Sequence, residues 1–107
     1  MAVRYVKSMD EFNTLMEISM TKLVVVDFTA TWCGPCQQIA PRFEELSKEH
    51  NPDIEFVKVD VDDANDIAAR QNIKAMPTFQ FFRNGDKIDE LQGANVPHLK
   101  EKLEKYK

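Results

Sequence analysis

Residues 23–28, Leu23-Val24-Val25-Val26-Asp27-Phe28, constrain this chain more than any other stretch. The run is apolar and β-branched apart from Asp27, without the alternation of a half-exposed strand. It reads as a strand buried on both faces, the centre of an α/β sheet. Such a strand needs helices above and below it. Shortly after it come Trp32-Cys33-Gly34-Pro35-Cys36, which hold the only tryptophan and both cysteines. From Cys36 to about His50, Ile39, Phe43, Leu46 and Ser47 then recur at helical spacing. The two thiols therefore sit where a buried strand ends and a helix begins. A helix start carries unpaired N–H groups and a partial positive charge, and both favour a thiolate over a thiol.

At 107 residues the chain holds enough for one domain, residues 1–107, and too little for two cores. With 43% hydrophobic and 30% charged residues, it has the composition of a folded chain rather than a disordered one. Fourteen basic against eighteen acidic residues give a net charge of -4. That leaves no electrostatic footprint for nucleic acid or an anionic membrane, and no apolar stretch approaches a membrane span. The start, Met1-Ala2-Val3-Arg4-Tyr5, has neither the apolar segment of a secretory leader nor the Arg- and Ser-rich character of a transit peptide. The cytoplasm, or the nucleus, is the expected location. In a reducing compartment two cysteines point to catalysis or metal binding rather than to a structural staple.

The remaining elements follow from local signals. Val3 to Val6 reads as a strand. Ser8 and Glu11 fit a capping box for a helix whose apolar face is Phe12, Leu15, Met16 and Ser19. Pro41 is expected to kink the helix after the thiols without ending it. Asn51-Pro52-Asp53 ends that helix, and Ile54 to Val61 is a strand. Asp62 or Asp63 is expected to cap a short helix carrying Ile67 and Ala68. Thr78 to Phe82 and Lys87 to Leu91 are strands joined by an Asn84-Gly85 turn. Asn95 caps a last helix with Pro97 in its first turn, Leu99, Leu103 and Tyr106 on its apolar face, and an i,i+4 pair in Glu101 and Lys105. The order β-α-β-α-β-α-β-β-α predicts parallel strands with crossover helices, then an antiparallel hairpin, in a mixed sheet flanked on both faces.

Cys33 precedes its helix and Cys36 lies about one turn inside it, a spacing at which the sulfurs can bond without backbone movement. Cys33 is expected to be the more exposed thiol and the first to attack a disulfide. Cys36, more buried, then attacks the mixed disulfide and releases the product. Pro35 suits a first helical turn. A zinc site would need four ligands, and beyond the cysteines the chain offers only His50 and His98, at unhelpful spacing. A structural bridge across so short a loop would constrain the unfolded chain little.

A Cys-x-x-Cys beside a β-α-β pattern is a thioredoxin-like signal. Val26-Asp27-Phe28-Thr29-Ala30-Thr31 before Trp32-Cys33-Gly34-Pro35-Cys36, with Met76-Pro77-Thr78-Phe79, Asn84-Gly85 and Gly93-Ala94-Asn95 following in order, resembles the thioredoxin family over essentially the whole chain. The Met-Pro-Thr-Phe and Gly-Ala-Asn forms are most similar to the animal-type cytosolic members. The resemblance implies a five-stranded mixed sheet with four helices. It implies a protein-disulfide reductase that cycles between a Cys33/Cys36 dithiol and a Cys33–Cys36 disulfide and maintains cell redox homeostasis. It also implies re-reduction by a separate NADPH-dependent flavin reductase, a thioredoxin reductase. The targets would be disulfide-containing proteins such as peroxiredoxins, and the chain would work as a monomer. The chain carries no Gly-rich dinucleotide fingerprint, so no cofactor of its own is expected.

Asp27 stands in an apolar strand, where burial should raise its pKa toward neutrality, the condition for general acid/base work. From the residues alone, proton transfer and a buried Asp satisfied by backbone N–H groups stand side by side. The resemblance implies proton transfer, reaching Cys36 through a water. Lys58 is either an ion-pair partner that modulates Asp27 or an outward-facing strand lysine. The resemblance further implies a cis Met76-Pro77 bond beside the disulfide. With it comes an apolar docking patch of Trp32, Gly34, Pro35, Met76, Pro77, Gly93 and Ala94, with the Trp32 N–H held by Asp62. Met76 would pair its backbone with an extended substrate segment. The chain departs from the family at Gln37, where many members have lysine. It also has Ala64, Gln71 and Ala75 where some animal members have extra cysteines. Two other readings share these motifs. One is a non-catalytic docking module. The other is an oxidase or isomerase, although those relatives usually carry His between the cysteines, where this chain has Gly34-Pro35.

Overall fold

Every residue of the 23–29 strand is buried, and the fold is built outward from it. The computed structural model describes residues 3–107; Met1 and Ala2, on which the leader reading partly rests, lie outside the described residues. The elements are β1 (Arg4–Tyr5), α1 (Met9–Ile18), β2 (Leu23–Thr29), α2 (Gly34–His50), β3 (Ile54–Asp60), α3 (Asn65–Arg70), β4 (Thr78–Arg83), β5 (Asp86–Gln92) and α4 (Val96–Tyr106). They form one five-stranded sheet in the order β1-β3-β2-β4-β5. β1, β3 and β2 run parallel, while β4 and β5 complete the sheet antiparallel. This is the mixed α/β sheet expected from the element order.

Side chains alternate across a pleated strand, so β2 serves two cores at once. Leu23 and Val25 pack with Ile39, Phe43 and Leu46 of α2 and with Leu99 and Leu103 of α4. Val24, Val26 and Phe28 pack with Phe12 and Leu15 of α1 and with Ile67 of α3. The helices therefore divide in pairs, α2 and α4 on one face, α1 and α3 on the other. The same alternation puts Asp27 on the α2 face. Phe43 anchors that face, with its ring 5.2 Å from Phe56 and 5.6 Å from Phe79. Burial of each such side chain contributes about 1.5–3 kcal/mol.

The local signals act largely as expected. Glu11 N–H donates to Ser8 Oγ at 3.1 Å, and the Glu11 carboxylate accepts from the Lys7 N–H at 3.1 Å. Asn95 Oδ1 accepts the His98 N–H at 3.0 Å. Asn84 and Gly85 have φ of 56° and 80°, the positive values that a two-residue hairpin turn matched to strand twist requires. Ser19, buried at the end of α1, ties that turn down: its carbonyl accepts the Asn84 N–H and its Oγ the Gly85 N–H. α2 continues as one helix through Pro41.

Three expectations change. The first strand is only Arg4–Tyr5, with Val3 and Val6 buried at its ends. Neither Asp62 nor Asp63 caps α3, whose cap residue, Ala64, makes no side-chain bond. Asp60 Oδ1 accepts both of their N–H groups, at 2.9 and 3.3 Å, so the acidic run closes a turn instead. Glu101 and Lys105 form no ion pair among the described residues, and the Lys105 ammonium lies 5.2 Å from the centre of the Tyr106 ring. The bond Asn51-Pro52 is cis, and nothing in the sequence reading anticipated it.

α4 is fastened to β5 through Asp89, whose Oδ2 accepts from Lys102 Nζ at 2.7 Å and from the Tyr106 hydroxyl at 2.6 Å. Burial alone would raise the Asp89 pKa. The bonds from Lys102, Tyr106 and the Glu90 N–H outweigh it and pull the group down to about 2. A carboxyl lowered in the folded state contributes stability above its unfolded pKa and loses it as pH falls. Asp89→Asn should therefore cost about 1–2 kcal/mol at neutral pH. The difference should shrink as pH falls from about 4 toward 2. Denaturant titrations at both ends of that window measure it; an equal loss at both would show that the effect is not electrostatic.

Candidate functional site

Cys33 is the N-cap of α2, and its sulfur accepts the Cys36 N–H at 3.2 Å. The helix start thus presents both its partial charge and a donor to this sulfur, which stabilises negative charge there. Cys36 lies one turn on, with Cα atoms 5.3 Å apart and the sulfurs joined in a disulfide. Cys36 is 1% exposed and Cys33 6%. The expected order holds, but Cys33 is itself mostly covered. Ala30, Val61 and Met76 pack around the pair, and the Met76 carbonyl oxygen is 3.7 Å from the Cys33 sulfur.

The expected docking residues gather on this side. Trp32 is 66% exposed, and its Nε1 donates to Asp62 Oδ2 at 2.8 Å. A large apolar ring is thereby held at the surface by one polar bond. Met76-Pro77 is cis. The Gly93 N–H donates to the Pro77 carbonyl at 2.9 Å, bringing the turn after β5 next to the turn before β4. Gly93 has φ of 99°, and a Cβ there would meet nothing within 4 Å. Glycine is needed at that position for backbone conformation, not for room. Gly34, Pro35 and Ala94 are exposed and Met76 is half-buried.

Asp27 is 1% exposed, and neither carboxylate oxygen has a hydrogen-bond partner among the described residues. The alternative of an Asp satisfied by backbone N–H groups therefore does not hold. Burial pushes its pKa up to about 7, with Lys58 pulling the other way. An acid in that range can accept and release protons near neutral pH. Lys58 is the direct register neighbour of Asp27, yet no ion pair joins them among the described residues. Its ammonium lies 5.8 Å from the centre of the Tyr5 ring. It acts on Asp27 through its field and not, as an ion pair would, through contact.

Sequence reasoning did not single out Ala30, Val61 or Tyr5. The Ala30 carbonyl accepts the Cys33 N–H at 3.2 Å and Gln37 Nε2 at 3.0 Å. Gln37, four residues after Cys33 and so on the same helix face, thus uses its amide to tie α2 to the loop before the thiols. That i,i+4 spacing was the available signal. Among the described residues no cluster of three or more His, Cys, Asp or Glu side chains is placed to hold a metal ion. No helix among them is long and apolar enough to cross a membrane.

Comparison with known proteins converges on one family. A family model described as Thioredoxin matches residues 3–105. A thioredoxin of Ictalurus punctatus is 52% identical over 106 residues, covering 98% of this chain and 99% of that protein. A thioredoxin of Oryctolagus cuniculus is 51% identical over 102 residues, covering 95% and 92%. Among solved structures, Fasciola hepatica thioredoxin superposes with a TM-score of 0.93 at 42% identity, covering 97% and 99%. A chain from a structural study of thiol resolution in yeast mitochondrial 1-Cys peroxiredoxin via glutathione/thioredoxin systems superposes with a TM-score of 0.88 at 35% identity, covering 96% and 94%.

Proposed function

This chain belongs to the thioredoxin family and is a thiol-disulfide oxidoreductase that acts as a disulfide reductase, and we propose how its residues divide that work. The Cys33 thiolate attacks one sulfur of a target disulfide. The bond between the two target sulfurs breaks, a Cys33–target bond forms, and the first target sulfur leaves as a thiolate that takes up a proton. Asp27 accepts the Cys36 proton. The Cys36 thiolate then attacks the Cys33 sulfur, the Cys33–Cys36 bond forms, and the second target sulfur leaves. Two electrons have passed to the target, and a reductase restores them. The observation that carries this reading is the asymmetry of the pair: Cys33 caps α2 facing the Cys36 N–H, with Cys36 more deeply buried. A buried, unpartnered carboxylate lies on the same sheet face as α2.

Trp32, Gly34, Pro35, Met76, Gly93 and Ala94 form the docking surface over the buried Pro77, with the backbone at Met76 pairing with an extended target segment. Lys58 tempers the proton affinity of Asp27 through its charge. Residues 1–107 work as one domain and as a monomer, in the cytoplasm or the nucleus. The partners are an NADPH-dependent thioredoxin reductase and disulfide-containing proteins. Peroxiredoxins are a suitable target class, given the setting in which the yeast structure was determined. The test is reductase-coupled NADPH oxidation with a disulfide-containing protein as acceptor. Turnover should scale with the concentration of this chain. No turnover with reductases of several classes would refute the reading. A redox potential in the range of reductants rather than strong oxidants would separate it from an oxidase.

A further inference from the structure

One row of register partners crosses the whole sheet beneath α2: Tyr5 in β1, Lys58 in β3, Asp27 in β2, Phe79 in β4 and Leu91 in β5. Register partners present their side chains to the same face. Lys58 thus stands between two attractors with one flexible arm. On one side is Asp27, a buried carboxylate with no hydrogen-bond partner among the described residues. On the other is the Tyr5 ring at the sheet edge. The ammonium makes no ion pair with Asp27 among the described residues and lies 5.8 Å from the Tyr5 ring centre, within cation–π range.

The edge is also acidic. The Tyr5 phenol is held above its ordinary value, first by partial burial and then by the carboxylates of Asp60, Asp27, Glu44 and Asp63. Three of these four lie outside the buried site: Asp60 at the end of β3, Asp63 beyond it and Glu44 on α2. They favour a cation near the ring. The charge that bears on Asp27 is Lys58 from β3, and Asp27 in turn bears on Tyr5 from β1, while Cys36 of α2 is held in the disulfide. The β4 neighbour of Asp27, Phe79, is neutral.

We propose that Tyr5 is a positioning residue for the Asp27 site: its ring and the acidic edge around it hold the Lys58 ammonium off Asp27, leaving that carboxylate unpaired and free to take a proton. The proposal rests on the reading of Asp27 as proton acceptor for Cys36. A Lys58–Asp27 ion pair would hold the carboxylate in its charged form and weaken it as a base. Tyr5 prevents that from a distance, without touching the reacting atoms.

The experiment is a carbon-13 NMR titration of the Asp27 carboxyl in the oxidised protein, where Cys36 does not titrate with it. Tyr5 is 43% exposed on an edge strand, so replacing it removes little of the core. Tyr5→Leu should lower the Asp27 midpoint by about one pH unit, while Tyr5→Phe, which keeps the ring, should leave it in place. Lys58→Met should raise the midpoint and erase the effect of Tyr5→Leu. An unmoved midpoint in Tyr5→Leu overturns the proposal, as does a Tyr5→Leu shift that survives in Lys58→Met. A Tyr5→Phe shift equal to that of Tyr5→Leu overturns it too. The pH profile of disulfide reduction separates the two readings. If the titration moves with Tyr5→Leu and the profile does not follow, the positioning role stands and the proton-acceptor role of Asp27 falls.

Discussion

Cys36→Ser should accumulate mixed disulfides between Cys33 and target proteins, and Cys33→Ser should lower reductase turnover on the order of 10⁴-fold or more. The first expectation follows from the order of bond changes. Removing the resolving sulfur leaves the first exchange intact and blocks only the second, so the covalent intermediate persists. The second follows from what the alternative nucleophile would face. Cys36 is 1% exposed and sits a turn inside α2. Ala30, Val61 and Met76 pack on the pair, leaving Cys36 little open surface for a target sulfur to reach. Nor does Cys36 hold the N-cap position, where the Cys36 N–H reaches the Cys33 sulfur at 3.2 Å. Losses of this size are usual when a nucleophile is removed and the rest of the site remains. The readout is non-reducing electrophoresis of each variant after incubation with a disulfide protein, followed by mass analysis of the cross-linked cysteine. Mixed disulfides forming through Cys36 in Cys33→Ser, at rates near those of Cys33 in the partner variant, would falsify the assignment. The docking-module reading predicts something else: the Cys33→Ser/Cys36→Ser double variant would retain biological activity.

The parts of this site that could be read in the sequence are those whose cause is local. The Leu23–Phe28 run dictates a central strand because every residue in it but Asp27 is apolar, on both faces. Cys33 and Cys36 take unequal positions because of their places on one helical turn, which the spacing alone defines. Asn84-Gly85 makes its hairpin because both residues accept positive φ. Asp27 was legible as a misfit, since a lone carboxylate in an apolar strand calls for an explanation. What was not legible depends on which of several partners a long side chain finds across space. Lys58 turns to Tyr5, and Lys105 to Tyr106 rather than Glu101. Asp60 captures the N–H groups that made Asp62 and Asp63 look like caps. The Asp60 and Lys105 choices are made among near neighbours in the chain, and the Lys58 choice is set by the register between β1, β3 and β2, strands distant in the chain, which no local pattern reports. The covering of Cys33 has the same origin, because Val61 and Met76 come from two separate loops.

Asp27→Asn should make the protein more stable and a worse reductase, with both effects depending on pH. The Asp27 pKa is about 7 in the folded protein against 3.8 for the free side chain, because burial disfavours the charged form. The sign follows from proton binding. Below about pH 4 both folded and unfolded chains hold the proton, and the group costs nothing through ionisation. From there to pH 7 the unfolded chain releases its proton while the folded chain keeps it, so stability falls as pH rises. Above pH 7 the full penalty, about 4 kcal/mol for a shift of this size, weighs on the native state. Asparagine resembles the protonated acid and cannot ionise. The variant and the parent should therefore have similar stability near pH 4, and the variant should be more stable by about 4 kcal/mol at pH 8. Denaturant titration of the oxidised proteins across that range reads the difference; parallel curves would mean that Asp27 is charged in the folded state throughout. Activity should move the other way. Without a base for the Cys36 proton the second exchange slows about 10²-fold near neutral pH, and mixed disulfides with Cys33 become detectable in the variant. Both results have one cause. A carboxylate left unpaired beneath the helix is unfavourable for the fold, and being unpaired is what leaves it able to accept a proton at the pH where the thiols react.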